Sequence, residues 1–184
     1  MIEIGKTQVD RFKYKFKYNS VEDVINKQIQ AEQQAAQDYL AIATMFLHPC
    51  MSRPGAGGYF MKMYNEELEH MQKLIEYQLI RGGAIVISGL KAPTMDSKLT
   101  LQSAFKKGLS MEKSVTEVQI TLIHRLNYVH NSLMNVCRYL YSLSRLRFNV
   151  LIQLLCGDEH AVYQYDQHLL KSYPNPFKFK MPER

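Results

Sequence analysis

Two long stretches of this chain contain neither glycine nor proline, and they constrain its fold more than any other feature. The first runs from Ser20 to His48 and the second from Leu109 to Cys156. The second is far longer than an average helix of about 12 residues, so it predicts two helices joined by a turn. We place that turn in the asparagine-rich segment 127–135, because asparagine caps helices and tolerates left-handed backbone.

Hydrophobic residues in the first stretch recur at intervals of three and four, as one face of an α-helix requires. They are Val24, Ile25, Ile29, Ala36, Leu40 and Ala43. Ser20 followed by Glu22 and Asp23 is typical of an N-cap with acids in the first turn. The pattern predicts a first helix from about Ser20 to Leu47, and we expect the glycine-rich link that follows it, through residue 58, to be non-helical.

The rest of the chain predicts three more helices. A second helix runs from about residue 58 to 80 and ends at two glycines, where a helix C-terminus favours them. Residues 84–98 then form a long connection whose apolar run 84–87 is either a short strand or, as we favour, part of a crossover along the bundle. A third helix begins near Thr100, and a fourth, bent at Gly157, extends to about Ser172. The fold class is therefore all-α, with two helical hairpins joined by one long crossover.

We divide the chain into three parts: a basic and aromatic N-terminal arm (1–19), a four-helix bundle (20–172) and a proline-rich tail (173–184). A chain of 184 residues can bury a real core. No run of about 18 apolar residues predicts a membrane span, and no signal peptide is recognised, so we expect a cytoplasmic or other intracellular protein. Cys50, Cys137 and Cys156 lack zinc-site spacing and suit a reducing compartment.

The net charge of +6 favours acidic partners. Lysines alternate with aromatic residues in the segment 11–18, which could contact nucleic acid or an acidic protein. The same segment could simply pack on a neighbouring subunit. Nucleic acid is thus a possible partner that no motif supports.

Several acids occupy positions where the helix pattern calls for apolar residues. Glu32 and Tyr39 lie on the apolar stripe of the first helix, and Glu67 and His70 share one face of the second. Glu112 lies on the inward stripe of the third helix. A buried carboxylate is costly unless it is paired or binds a metal. Carboxylates together with one imidazole suit iron, so the set predicts an iron site inside the bundle.

The segments around these acids resemble the helices of eukaryotic ferritin heavy chains. The resemblance rests on three segments: Ile25-Asn26-Lys27-Gln28-Ile29 with Glu32 and Tyr39, Glu66-Glu67-Leu68-Glu69-His70, and Met111-Glu112-Lys113. It extends from about residue 20 to 126 almost without gaps. A bundle with one crossover is also the ferritin-like topology. The resemblance therefore implies a ferritin-like four-helix bundle.

The resemblance implies a ferroxidase that oxidises Fe(II) with dioxygen at a di-iron centre and stores ferric iron in an oligomer. Glu32, Glu67, His70 and Glu112 would be the iron ligands, with Tyr39 beside them in a catalytic role. His160 falls where the family usually has glutamine and is a further candidate ligand. Two departures are notable. About fourteen residues are inserted between the third and fourth helices, and the family's short fifth helix is missing.

Two other functions stay open. A ferritin-like chain could be a non-catalytic subunit of a larger assembly, with its basic arm and lengthened hairpin as contact surfaces. A four-helix di-iron oxidase acting on an organic substrate usually carries two Glu-x-x-His motifs. Here Glu112 is followed by Val115 and Glu159 by Val162, so the second motif is missing.

Overall fold

The computed structural model describes residues 19–94, 99–126 and 159–177. These ranges contain four helices and no strand: α1 (Asn19–Leu47), α2 (Pro54–Ile80), α3 (Leu101–Leu126) and α4 (Glu159–Ser172). Helix α1 packs against α2 and α3, and α2 also packs against α4. The all-α prediction is confirmed. The expected turn at 127–135, the fourteen-residue insertion, the bend at Gly157 and residues 1–18 lie outside the described ranges.

The starts of α1 and α2 each correct one expectation about helix ends. The glycine-rich link is not an irregular loop throughout, because α2 already begins at Pro54. Proline suits a first helical turn, where its missing N–H has no intrahelical partner. Gly55 is needed for packing, since a Cβ there would meet the backbone of Asp166 in α4. Likewise Ser20, the expected N-cap, lies inside α1, which is helical from Asn19.

The connection after α2 runs alongside α1 as a crossover, which confirms that interpretation over a strand. Four polar side chains, spaced every four residues along α1, hold its backbone. They are Glu22, Asn26, Gln30 and Gln34. Ala84 donates its backbone N–H to the carboxylate of Glu22 at 2.6 Å. The side-chain amide of Asn26 donates to the carbonyl of Ala84 and accepts from the N–H of Val86. Gln34 Nε2 donates to the backbone carbonyl of Lys91 at 3.0 Å, and the backbone N–H of Lys91 donates to Gln34 Oε1 at 2.8 Å. Because every fourth residue shares one helix face, this polar stripe fixes the crossover along about three turns of α1.

Two hydrophobic clusters fill the bundle on either side of one polar layer. The larger contains the buried aromatic side chains Tyr39, Phe46, Phe60 and Phe105 and involves all four helices. The smaller joins the N-terminal half of α1 to Leu74 of α2 beneath the crossover. On α1 the smaller cluster ends at Ile29 and the larger begins at Ala35. The residues between them are therefore enclosed by apolar packing at both ends.

None of the helices in the described ranges combines the length and the hydropathy that crossing a bilayer requires.

Candidate metal centre

Three potential metal ligands converge in the polar layer between the two hydrophobic clusters. Glu32 of α1 and Glu67 and His70 of α2 each bring one ligand atom to within 4.8 Å of the others. Glu67 and His70 are three residues apart and therefore lie side by side on the face of α2. Both carboxylates are almost fully buried, with 1% and 3% exposure, and His70 is half-buried. The structure thus brings together three of the residues that the sequence predicts as ligands.

One oxygen of each of these carboxylates lacks a hydrogen bond among the described residues. Glu32 Oε2 and Glu67 Oε2 lie 3.8 and 3.4 Å from Nδ1 of His70 and have no hydrogen-bond donor. The other oxygen of Glu32 accepts a hydrogen bond from Gln28 Nε2 at 2.7 Å. Buried carboxylate oxygens without a donor are costly, and a bound cation is the usual remedy. The donor set therefore fits a metal ion that prefers oxygen and imidazole ligands.

Glu112 enters the same layer from α3. It is buried, with 6% exposure, and its Oε1 accepts a hydrogen bond of 2.6 Å from the hydroxyl of Tyr39. Burial raises the pKa of Tyr39 well above its ordinary value, and the charges of Glu112 and Glu67 raise it further. Tyr39 therefore stays protonated at neutral pH and acts as a fixed donor that orients Glu112.

The acids of the cluster differ in their affinity for a proton. Burial, then the close approach of Glu32, raises the pKa of Glu67 well above its ordinary value. Burial also works against ionisation of Glu32, but its close contacts with Glu67 and His70 and its hydrogen bond from Gln28 outweigh this and lower its pKa. Two carboxylates this close oppose each other's ionisation, so Glu67 binds a proton more tightly than Glu32 does.

His70 is held in its protonated form in the metal-free site. Burial lowers its pKa, but its close contacts with Glu32 and Glu67 and the charges of both carboxylates raise it to about 10. A metal needs the neutral imidazole and ionised carboxylates, so binding must displace these protons. Metal binding and proton release are therefore coupled at this cluster.

His160 is not brought into this cluster. Its side chain is exposed and contacts Gln164, with 2.9 Å between their Nε2 atoms. Its neighbour Glu159 lines a cavity together with Phe46, near the end of α1. Glu32 lies fourteen residues before Phe46, which is about 21 Å along a helix axis.

Gln28 is a site residue that the sequence interpretation does not find. It is only 1% exposed and fixes one oxygen of Glu32. The sequence does contain an indication of this role, because Gln28 interrupts the apolar stripe of α1. It lies four residues before Glu32, so the two side chains share a helix face. A polar residue placed one turn from a buried acid is a candidate for a supporting hydrogen bond.

A helical bundle that buries carboxylates and a histidine from several helices in one layer is the architecture of carboxylate-bridged metal proteins. The profile of the ferritin-like domain family matches residues 22–133, which are more than half of the chain. The chain belongs to this family.

Similar proteins include animal and plant ferritins. The chain is 41% identical to the ferritin-2 heavy chain of Schistosoma mansoni over 101 residues, which are 55% of this chain and 59% of that protein. It is 36% identical to the soma ferritin of Lymnaea stagnalis over 107 residues, 58% of this chain and 61% of that one. The chloroplastic ferritin-3 of Vigna unguiculata is 26% identical over 166 residues, 83% of this chain and 64% of that protein. The chain thus spans about three-fifths of the length of these relatives.

Proposed function

We propose that this chain oxidises Fe(II) with dioxygen at the cluster of Glu32, Glu67 and His70, together with Glu112, and that its assembled form stores the ferric product. The observation that carries the proposal is the convergence of three ligand atoms within 4.8 Å in a buried layer. Two of the three residues are carboxylates whose second oxygens lack a hydrogen-bond donor. Hard carboxylate oxygens suit Fe(III), and one imidazole suits both oxidation states.

The position of Glu67 supports two iron ions rather than one. Glu67 converges with Glu32 and His70, and the charge of Glu112, which enters the layer from α3, also raises the pKa of Glu67. In the proposed arrangement Glu32 and His70 bind the first ferrous ion, Glu112 binds the second, and Glu67 lies between the two. Each ferrous ion gives one electron to dioxygen. The protein contributes ligands that are already close together and a layer enclosed by apolar packing.

Two neutral side chains orient the ligands in this proposal. Gln28 donates to Glu32, and Tyr39 donates to Glu112. Each hydrogen bond fixes the orientation of one carboxylate, and that of Gln28 leaves Oε2 of Glu32 without a hydrogen-bond donor. Such supporting hydrogen bonds fix the ligand rotamer before the metal arrives, and their loss typically costs about 10–100-fold in metal affinity or activity.

Storage requires an assembly of chains, and the exposed surface supports one. Four large apolar side chains lie more than half exposed at the end of α2 and on the crossover: Leu79, Ile80, Val86 and Ile87. Exposed apolar surface that is larger than single scattered side chains usually marks a protein interface. A relative from Salmo salar is named a ferritin middle subunit. We therefore expect a second copy of this chain on this surface, and sedimentation of Ile80→Asp should show smaller species than the native protein.

The decisive experiment is aerobic addition of two ferrous ions per chain to metal-free protein, followed by absorbance. Native protein should oxidise iron faster than the buffer blank. Glu67→Ala should lose this acceleration, because it removes the carboxylate between the two proposed iron positions. Glu76→Ala is the matched control, since Glu76 is an exposed acid on the same helix. Equal rates for native protein and the Glu67 variant would disprove the proposal.

A further inference from the structure

The cavity that Phe46 and Glu159 share has the size and lining of a small-molecule pocket. It lies where the end of α1, the link to α2, the start of α3 and the start of α4 come together. Its volume is about 380 Å³, within the range of about 300–1,000 Å³ that is typical of ligand pockets. None of the proposed iron ligands is among the described residues that line it. Five of its side chains are apolar: Phe46, Met51, Leu99, Leu101 and Val162.

Two side chains of opposite charge line the same cavity. Arg53, in the link between α1 and α2, is half-buried, and Glu159, at the start of α4, is exposed. Among the described residues, no ion pair joins these two groups, and neither side chain has a hydrogen-bond partner. A half-buried charge without a partner is unfavourable, so a ligand of opposite charge would stabilise it. The cavity therefore presents one positive and one negative group beside an apolar wall.

Asp166 is a further charged group close to Arg53. Burial raises the pKa of Asp166, whereas hydrogen bonds from the backbone of Ala56 and Gly55 and the charge of Arg53 lower it. Its Oδ1 accepts the N–H of Ala56 at 2.8 Å, and no ion pair between Asp166 and Arg53 is found in the described ranges. Asp166 thus offsets part of the charge of Arg53 but leaves the guanidinium N–H groups available to a ligand.

We propose that this cavity binds a free α-amino acid with an apolar side chain. The guanidinium of Arg53 binds the α-carboxylate, because its planar N–H groups match the two carboxylate oxygens. The carboxylate of Glu159 binds the α-ammonium group. The apolar side chain of the ligand packs against the wall that includes Phe46, where burial of apolar area favours binding. A simple anion or cation would satisfy only one of the two charged groups, and a neutral apolar molecule would satisfy neither.

The test is isothermal titration calorimetry of the whole chain with L-leucine and two analogues that each lack one charge. N-acetyl-L-leucine keeps the carboxylate but has no ammonium group, and L-leucinamide keeps the ammonium group but has no carboxylate. L-leucine should bind saturably. Each analogue should bind about tenfold or more weakly, because it has lost one partner for a charged hydrogen bond. L-leucine should also raise the midpoint of thermal unfolding, as a ligand of the folded state does.

Substitutions in the cavity should abolish the preference among these ligands. Arg53→Met should bind L-leucinamide as tightly as L-leucine, since the carboxylate has no partner left, and Arg53→Lys should keep part of the preference. Glu159→Gln should bind N-acetyl-L-leucine as tightly as L-leucine. The matched controls are Lys171→Met and Glu76→Gln, which each remove an exposed charge outside the lining of the cavity. Both controls should bind the three ligands as native protein does.

The measurements distinguish an amino-acid site from simpler alternatives. No saturable binding of L-leucine up to about 10 mM would overturn the proposal. Equal affinity of native protein for L-leucine and N-acetyl-L-leucine would show an anion site instead, and equal affinity for L-leucine and L-leucinamide a cation site. An unchanged preference in either cavity variant would place the ligand elsewhere. Native protein with the three ligands decides the question even if a variant fails to fold, and iron oxidation is not involved in any of these readouts.

Discussion

The carboxylate of Asp166 in α4 accepts a hydrogen bond of 2.8 Å from the backbone N–H of Ala56 in the first turn of α2. Arg53, the residue just before α2, contributes no side-chain cap. The start of the helix that carries Glu67 and His70 is therefore capped by another helix, 110 residues away in sequence. Asp166 is 1% exposed, so this cap is enclosed in the interface between the two helices.

Loss of this cap should destabilise the protein. Asp166→Ala removes the acceptor for Ala56, and we expect the free energy of unfolding to fall by about 1–2 kcal/mol, as for other lost caps. Urea denaturation measures it. Asp166→Asn retains an acceptor oxygen and should lose less. Lys171→Ala, an exposed change on the same helix, should stay within about 0.5 kcal/mol of native protein. A loss no larger for Asp166→Ala than for Lys171→Ala would contradict the capping role.

The close contact between α2 and α4 can be tested at Gly55, with Gly89 as the control position. A Cβ at Gly55 would meet the backbone of Asp166 and Leu170, whereas a Cβ at Gly89 would meet nothing within 4 Å. Gly55→Ala should lower stability by about 1–3 kcal/mol, because backbone atoms cannot move aside as a flexible side chain can. Gly89→Ala should leave stability unchanged within about 0.5 kcal/mol. Thermal unfolding of the two variants side by side would decide, and equal midpoints would refute the packing argument.

The crossover should loosen when its polar stripe on α1 is broken. Asn26→Ala removes hydrogen bonds of 3.1 and 3.0 Å to the backbone of Ala84 and Val86. We expect a loss of about 1–2 kcal/mol and faster amide hydrogen exchange in residues 84–91. Lys27→Ala, an exposed change beside it, should alter neither. Unchanged exchange in the Asn26 variant would show that other contacts hold the crossover.

Metal affinity should rise with pH because His70 must lose a proton first. Its pKa of about 10 means that the metal-free protein is protonated there at neutral pH, and that proton competition weakens as pH rises towards 10. For each proton displaced, Zn(II) affinity should increase about tenfold per pH unit between about pH 6 and 8. Titration calorimetry in buffers of different ionisation enthalpy counts the protons released. His70→Gln should bind more weakly with a shallower slope, and exposed His168→Gln should match native protein; a flat native profile would reject the mechanism.

Much of the fold and of the site follows from local pattern. The 3.6-residue period of α1 positions Glu32 and Tyr39 on one face, and three-residue spacing positions Glu67 beside His70, before any tertiary contact is known. The crossover was predictable because no second strand candidate could pair with it. The start of α2 was not, since proline and glycine favour loops on average and the cap of its first turn comes from Asp166 of α4.

Which residues of neighbouring helices lie at the same height along the bundle is decided by the tertiary structure. His160 is a further candidate ligand by sequence position, and the structure shows its side chain exposed and in contact with Gln164; local spacing carries no information about which level of a neighbouring helix it faces. The same holds for Asp166 capping α2 and for Tyr173 contacting Tyr59, which join residues more than a hundred positions apart. The sequence by itself determined which residues turn inward on each helix, because side-chain direction has a fixed period. Only the packed bundle decided which of those residues meet, because contact between helices depends on their relative register.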